Sequence, residues 1–163
     1  MAREWRSGGS VQRVIAAPPE EIYRIVSDVT STGERSEECR SAAWLPGGPA
    51  RAEVGARFRG HNRVGIVRWS RVCEVVDAQP GRRFAFRTVP ERFDPSRADS
   101  TTWTYELEAV EGGTLVRHAY EITRMPWPPF KAIYGSFLAH HRDMRPAMRV
   151  TLDRLAERLG AGT

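Results

Sequence analysis

Cysteine and lysine are scarce in this sequence. Of its 163 residues only Cys39 and Cys73 are cysteine, so it holds no disulfide framework and no C-x-x-C motif for a metal or redox centre. A single bridge between the two is disfavoured in a reducing compartment, and they read as reduced. Lys131 is the one lysine, beside 24 arginines. No apolar run approaches the roughly 20 residues that cross a bilayer, so no membrane span is expected. The start, Met1-Ala2-Arg3-Glu4-Trp5-Arg6-Ser7, carries no apolar stretch and reads as no secretory signal, which makes the cytoplasm the expected location. The G-x-S-x-G of hydrolases and the glycine fingerprint of dinucleotide binders are also missing. Gly47-Gly48 is followed by no Gly-Lys-Ser/Thr, so it is not a phosphate loop.

The net charge of +5 raises the question of nucleic acid. The arginines, however, are interleaved with acids along the whole chain. The densest group, Arg57, Arg59, Arg63, Arg68 and Arg71, divides between two faces if it lies on strands. With no RNP, helix-turn-helix or zinc-finger pattern, nucleic acid is not an expected partner. A solvated arginine-rich face is the simpler reading.

What is present is a globular composition. Hydrophobic residues make up 40% and charged residues 28%, and the length suits one domain with a real core. Residues 1–9 are polar and Gly-rich and read as a flexible arm before a single domain over 10–160. Ser10 to Ala16 reads as a strand. Pro18-Pro19-Glu20-Glu21 opens a short helix, because proline and acids suit a first turn. A second short helical turn is expected over Thr30 to Glu37, then a weak strand from Cys39 to Trp44. Strands follow at 56–63, 67–76, 83–88, 101–110 and 114–123, parted by Val64-Gly65, Gln79-Pro80-Gly81, the polar loop 90–100 and Glu111-Gly112-Gly113. Short turns between successive strands imply an antiparallel meander. From Phe130 onward apolar residues recur every three or four positions, which predicts helix. Met125-Pro126-Trp127-Pro128-Pro129 and Gly135 mark its first part as a separate short helix, Pro146 should kink or break the rest, and the main helix is expected from about Ala139 to Leu159.

This order resembles the START/Bet v 1-like (SRPBCC) superfamily, and within it the bacterial polyketide cyclase/dehydrase and lipid-transport family. The likeness rests on Val14-Ile15-Ala16-Ala17-Pro18-Pro19-Glu20-Glu21-Ile22-Tyr23 with Val26-Ser27-Asp28, then on 55–63 (Gly55 to Arg63), Trp69, Pro80-Gly81-Arg82-Arg83-Phe84-Ala85-Phe86, Trp103-Thr104-Tyr105 and Gly112-Gly113-Thr114. It covers roughly residues 10–160. The resemblance implies an α+β helix-grip fold: a seven-stranded curved antiparallel sheet around a long C-terminal helix, two short helices after the first strand, and an apolar cavity between sheet and helix. It carries no shared catalytic signature.

Alternation along strands then selects the cavity face. Phe58 and Asn62 point inward, with His61 outward among arginines. Phe84 and Phe86 point inward, as do Trp103 and Tyr105, and His118 and Tyr120. In the strand from Val67 the choice between the face of Trp69, Arg71 and Cys73 and the face of Val72 and Val76 stays open; Trp69 is kept as a ligand contact. From the helices, Tyr134, Phe137, His141, Met144 and Met148 face the sheet. This lining is aromatic with a few polar groups (Asn62, Tyr105, His118, Tyr120, His141), which suits an apolar or aromatic ligand with one or two oxygens. His140 and His141 are adjacent, about 100° apart on a helix, so they are not expected to share a metal. No metal and no cofactor are called for. The leading expectation is a binding protein that carries, senses or sequesters a hydrophobic or polyketide-like molecule, as a monomer or homodimer. The alternative is a polyketide aromatase/cyclase or dehydratase, with His118 as acid–base group and Tyr120, Tyr105 or Asn62 as donors to an enolate oxygen. A third reading is an interaction module with a filled core.

Overall fold

A computed structural model describes residues 4–160; the first three residues of the expected arm and residues 161–163 lie outside the described residues. Seven strands form one antiparallel sheet: β1 (Gly8–Ile15), β2 (Cys39–Trp44), β3 (Arg57–Val64), β4 (Val67–Gln79), β5 (Arg83–Thr88), β6 (Ser100–Val110) and β7 (Gly113–Arg124). The order across the sheet is β1-β7-β6-β5-β4-β3-β2, so the chain crosses once, from β1 to the far edge at β2, and then returns as a meander. The expected α+β helix-grip architecture is what the chain adopts.

The crossing contains helix α1 (Pro19–Ser27) and a 3-10 turn (Val29–Glu34). Pro19 stands in the first turn of α1 with Glu20 and Glu21, and the helix buries Ile22, Tyr23, Ile25 and Val26. Those residues repeat at i, i+3 and i+4, which is why one face is apolar. The Asp28 carboxylate accepts from the Thr30 amide at 3.1 Å and opens the 3-10 turn. Gly33 in that turn lies so close to β2 that a Cβ would collide with the Arg40 carbonyl. This close approach holds residues 35–39 against the sheet.

Register shifts bend the sheet at Cys39/Ser41, at Val75/Asp77 and at Ser100/Thr101. Bulges raise local twist and curl a sheet into a concave trough. Helix α2 (Pro128–Phe137) leads through a 3-10 turn (Ala139–Arg142) into α3 (Arg145–Gly160). α3 crosses the trough against β1 and β7 and buries Met148, Thr151, Leu152, Leu155 and Leu159. Burying a Leu or Met side chain contributes about 1.5–3 kcal/mol, so this stripe anchors the helix.

The long helix starts later than the spacing predicts, at Arg145 rather than near Ala139. Pro146 sits in its first turn, where its missing N–H costs nothing, and the Asp143 carboxylate accepts from the Arg145 amide at 3.2 Å. Leu138, at φ −123° and ψ 59°, ends α2 and resets the helical phase. Of the stretch read as an arm, Trp5 packs against the core, the Arg6 amide donates to Arg142 at 2.9 Å, and Gly8 and Gly9 already belong to β1.

Candidate functional site

Between the concave sheet and the segments over it lies a cavity of about 230 Å³. Every strand from β3 to β7 contributes inward side chains at alternate positions. β3 supplies Phe58, Gly60 and Asn62; β4 supplies Trp69, Arg71 and Cys73; β5 supplies Phe84, Phe86 and Thr88. β6 adds Thr101, Trp103 and Tyr105, and β7 adds His118. The open choice on β4 thus falls to the face of Trp69. Val26, Val29, Met144 and Met148 close the other side, and Arg35, Glu38, His140 and His141 border it.

The apolar wall is built from aromatic edges and faces. Phe58 meets Phe86 edge-on at 5.3 Å between centroids, and Phe84 lies 5.8 Å from Phe86. Phe84 itself has no exposed surface. Such offset and edge contacts are worth about 0.5–1.5 kcal/mol beyond the area they bury, and they fix the shape of the wall.

His118 is sealed at the base of the cavity, 4% exposed, with Nδ1 3.1 Å from the Thr104 carbonyl. A carbonyl only accepts, so Nδ1 carries the hydrogen and Nε2 is the acceptor. Burial pushes the His118 pKa down to about 4, with the Thr104 bond opposing and the charge of Arg35 adding to the fall. His118 is therefore neutral near pH 7. It serves as a hydrogen-bond acceptor and stands far from the near-neutral pKa expected of a general acid.

Among the ionic groups around the cavity, Arg71, Glu38 and Arg35 are compensated differently. The Arg71 guanidinium pairs with Asp99 at 2.8 Å and donates to the Asp99 carbonyl at 2.9 Å and the Arg97 carbonyl at 3.2 Å. It thereby ties the loop over residues 89–99 to β4. Tyr134 strengthens the same tie through a hydroxyl donated to the Ser96 carbonyl. Glu38 accepts from His140 Nε2 at 3.0 Å and from His141 Nε2 at 2.9 Å. Burial raises its pKa, but hydrogen bonds and charge from both histidines more than offset that and hold it down at about 2. Arg35 differs. It is 5% exposed, and its guanidinium donates to neutral oxygens, among them Ser31 Oγ at 2.8 Å, the Val26 carbonyl at 3.2 Å and Thr32 Oγ1 at 3.4 Å. Its Nε is buried with no hydrogen-bond partner among the described residues. Among the described residues no carboxylate pairs with it. Burial raises the phenol pKa of Tyr105, against the opposing charge and hydrogen bond of Arg35, which places the guanidinium beside that hydroxyl.

Neither thiol is a nucleophile at neutral pH. Burial pushes Cys73 up to about 12 and raises Cys39 as well, the latter with help from the adjacent Glu38.

Most of the expected contacts meet at the cavity: Phe58, Asn62, Trp69, Phe84, Phe86, Trp103, Tyr105, His118, His141 and Met144 all line it. Three of the expected residues do not line it. Tyr120 is buried on the predicted face but does not line the cavity, and its ring stands against Trp103 and Gly9. Tyr134 points to the 89–99 loop, and Phe137 is 72% exposed. Both belong to α2, whose phase is broken from that of α3 at Leu138. The expectation that His140 and His141 diverge also fails. They sit in a 3-10 turn, and both rings reach Glu38. Arg35, Glu38 and Asp99 escaped the sequence reading because each lies in an irregular segment with no periodicity to assign it a face.

The fold and cavity define a helix-grip domain with an internal, largely aromatic cavity. The chain belongs to the polyketide cyclase/dehydrase and lipid transport family, whose sequence model matches residues 9–160. No curated protein matches the sequence. Solved structures share the fold at low identity. A Thermus thermophilus protein has 21% identity and a TM-score of 0.68, covering 96% of this chain and 99% of its own. A Mesorhizobium loti protein has 18% identity and a TM-score of 0.65, covering 96% and 98%. A protein of the dynemicin biosynthetic locus, with 15% identity and a TM-score of 0.62, covers 97% of this chain and 49% of its own. No helix among the described residues is long and apolar enough to cross a membrane.

Proposed function

We propose that the protein binds a compact aromatic or polyketide-like molecule that presents an anionic oxygen to Arg35. The carrying observation is that guanidinium: buried, facing the cavity, and without a carboxylate partner. An unpaired buried ion costs several kcal/mol even after relaxation. Hydrogen bonds to neutral oxygens offset part of that cost, and an anion in the cavity would offset the rest. Phe58, Phe86, Trp103 and Tyr105 would hold the apolar body of the ligand. The volume is small against the roughly 300–1,000 Å³ of drug-sized sites, which favours one or two fused rings over a long acyl chain.

Chemistry in the same cavity is the second reading. Arg35 could stabilise an enolate oxygen, and His118 Nε2 could accept a proton. A base with a pKa near 4 is weak at neutral pH, however, so binding is the better-supported role. The test is native mass spectrometry of the full chain with 2-naphthoate. A one-to-one complex that disappears on denaturation supports the reading. No complex at millimolar 2-naphthoate, with no uptake of a solvatochromic dye, would contradict it.

A further inference from the structure

At the border of the cavity, Glu38, His140 and His141 bring three donor atoms within 4.8 Å of one another. We propose that these three residues form a site for a divalent transition metal of the zinc class, with its open coordination position facing the cavity.

The geometry carries this. Glu38 lies just before β2, and the histidines lie in the turn before α3, so two separate segments deliver the ligands. The carboxylate oxygens stand 3.0 and 2.9 Å from the two Nε2 atoms. Ligand atoms on a tetrahedral zinc ion, bonded at about 2.0–2.1 Å, stand roughly 3.3 Å apart. Replacing the two Nε2 hydrogens by one ion therefore requires shifts of only a few tenths of an ångström in the distances to Glu38. Two imidazoles and one carboxylate select zinc, cobalt, nickel or copper over magnesium or calcium, which prefer oxygen alone. Three protein ligands leave a position for water or for a ligand oxygen, the pattern of an open zinc site. All three residues line the cavity, and the edge contact of Trp69 with the His141 ring, 5.9 Å between centroids, restrains that ligand. The proposal is independent of which molecule the cavity binds.

The test uses tag-free full-length protein and cobalt(II), followed by zinc in competition with a chromophoric chelator. One equivalent of cobalt should give visible absorption of the intensity that marks four- or five-coordination, and zinc should displace it. Glu38→Gln and His141→Asn should each weaken zinc binding by more than the about tenfold that losing a mere supporting hydrogen bond costs. His61→Asn, on the exposed outer face of β3, should leave it unchanged. The wild-type spectrum does not depend on any variant folding. Absence of a one-equivalent spectrum would overturn the site. So would binding that survives both Glu38→Gln and His141→Asn, or binding that is lost in His61→Asn.

Discussion

Tyr105 and His118 lie ring on ring, 4.0 Å between centroids and 6° from parallel, on directly paired positions of β6 and β7. With the Thr104 carbonyl holding Nδ1, this stack seals a neutral imidazole under the cavity. The consequence is a pH-dependent stability. The unfolded chain takes up a proton at the ordinary histidine value of 6.5, whereas the folded one resists until about 4. The native state is thus fully favoured above pH 6.5 and loses stability as pH falls toward 4. The loss amounts to about 3 kcal/mol over that window. Glu38, a carboxyl held down at about 2, adds its own loss only below its ordinary value of 4.5. Urea unfolding between pH 7 and pH 4.5 should show most of the decline in the wild type and little of it in His118→Gln. An equal slope in both would remove His118 as the cause.

Phe84 and Phe137 should part company. Phe84 is fully buried beside Tyr23 and Phe86, so Phe84→Ala should cost about 3–5 kcal/mol by chemical denaturation. Phe137 is exposed, so Phe137→Ala should stay within about 0.5 kcal/mol and leave ligand affinity unchanged. Loss of binding in Phe137→Ala would return α2 to the cavity wall.

Arg71 fastens the loop over residues 89–99 through one carboxylate and carbonyls from both its ends. Arg71→Met should raise amide exchange in residues 91–99 by about tenfold or more, the scale of a lost charged hydrogen bond. Exchange in the β6–β7 ladder should not change. Unaltered exchange in the loop would show that Tyr134 and the Ser100 hydroxyl, which donates to the Thr88 carbonyl at 2.7 Å, suffice to hold it.

The strands were legible because breakers bracket them: Cys39–Trp44 and Arg83–Thr88 have the ends that the turns predict. Alternation also placed Phe58, Trp103 and His118 on the right face, since the side-chain period of a strand is two. Parity does not say how far along a strand the cavity extends, and Tyr120, on the inward face of β7, lies off it. The break ahead of Ala139 is signalled by Gly135 and the prolines before Phe130, but spacing does not give the change of phase across Leu138, and Tyr134 and Phe137 therefore lie off the cavity. Arg35 and Glu38 have no regular element to fix their direction. Arg35 is placed by Val26, Ser31 and Thr32, and Glu38 by His140 and His141, which are distant from it in sequence.

Arg35 is a buried cation with no carboxylate partner among the described residues. Isothermal titration with 2-naphthoate and with its neutral analogue 2-acetylnaphthalene, in wild type and Arg35→Met, tests its hold on an anion most directly. The carboxylate should lose at least about tenfold in affinity in the variant, as expected for a charge-assisted hydrogen bond, while the ketone keeps its own within about threefold. Equal weakening of both ligands, or of neither, would contradict an anion held by Arg35.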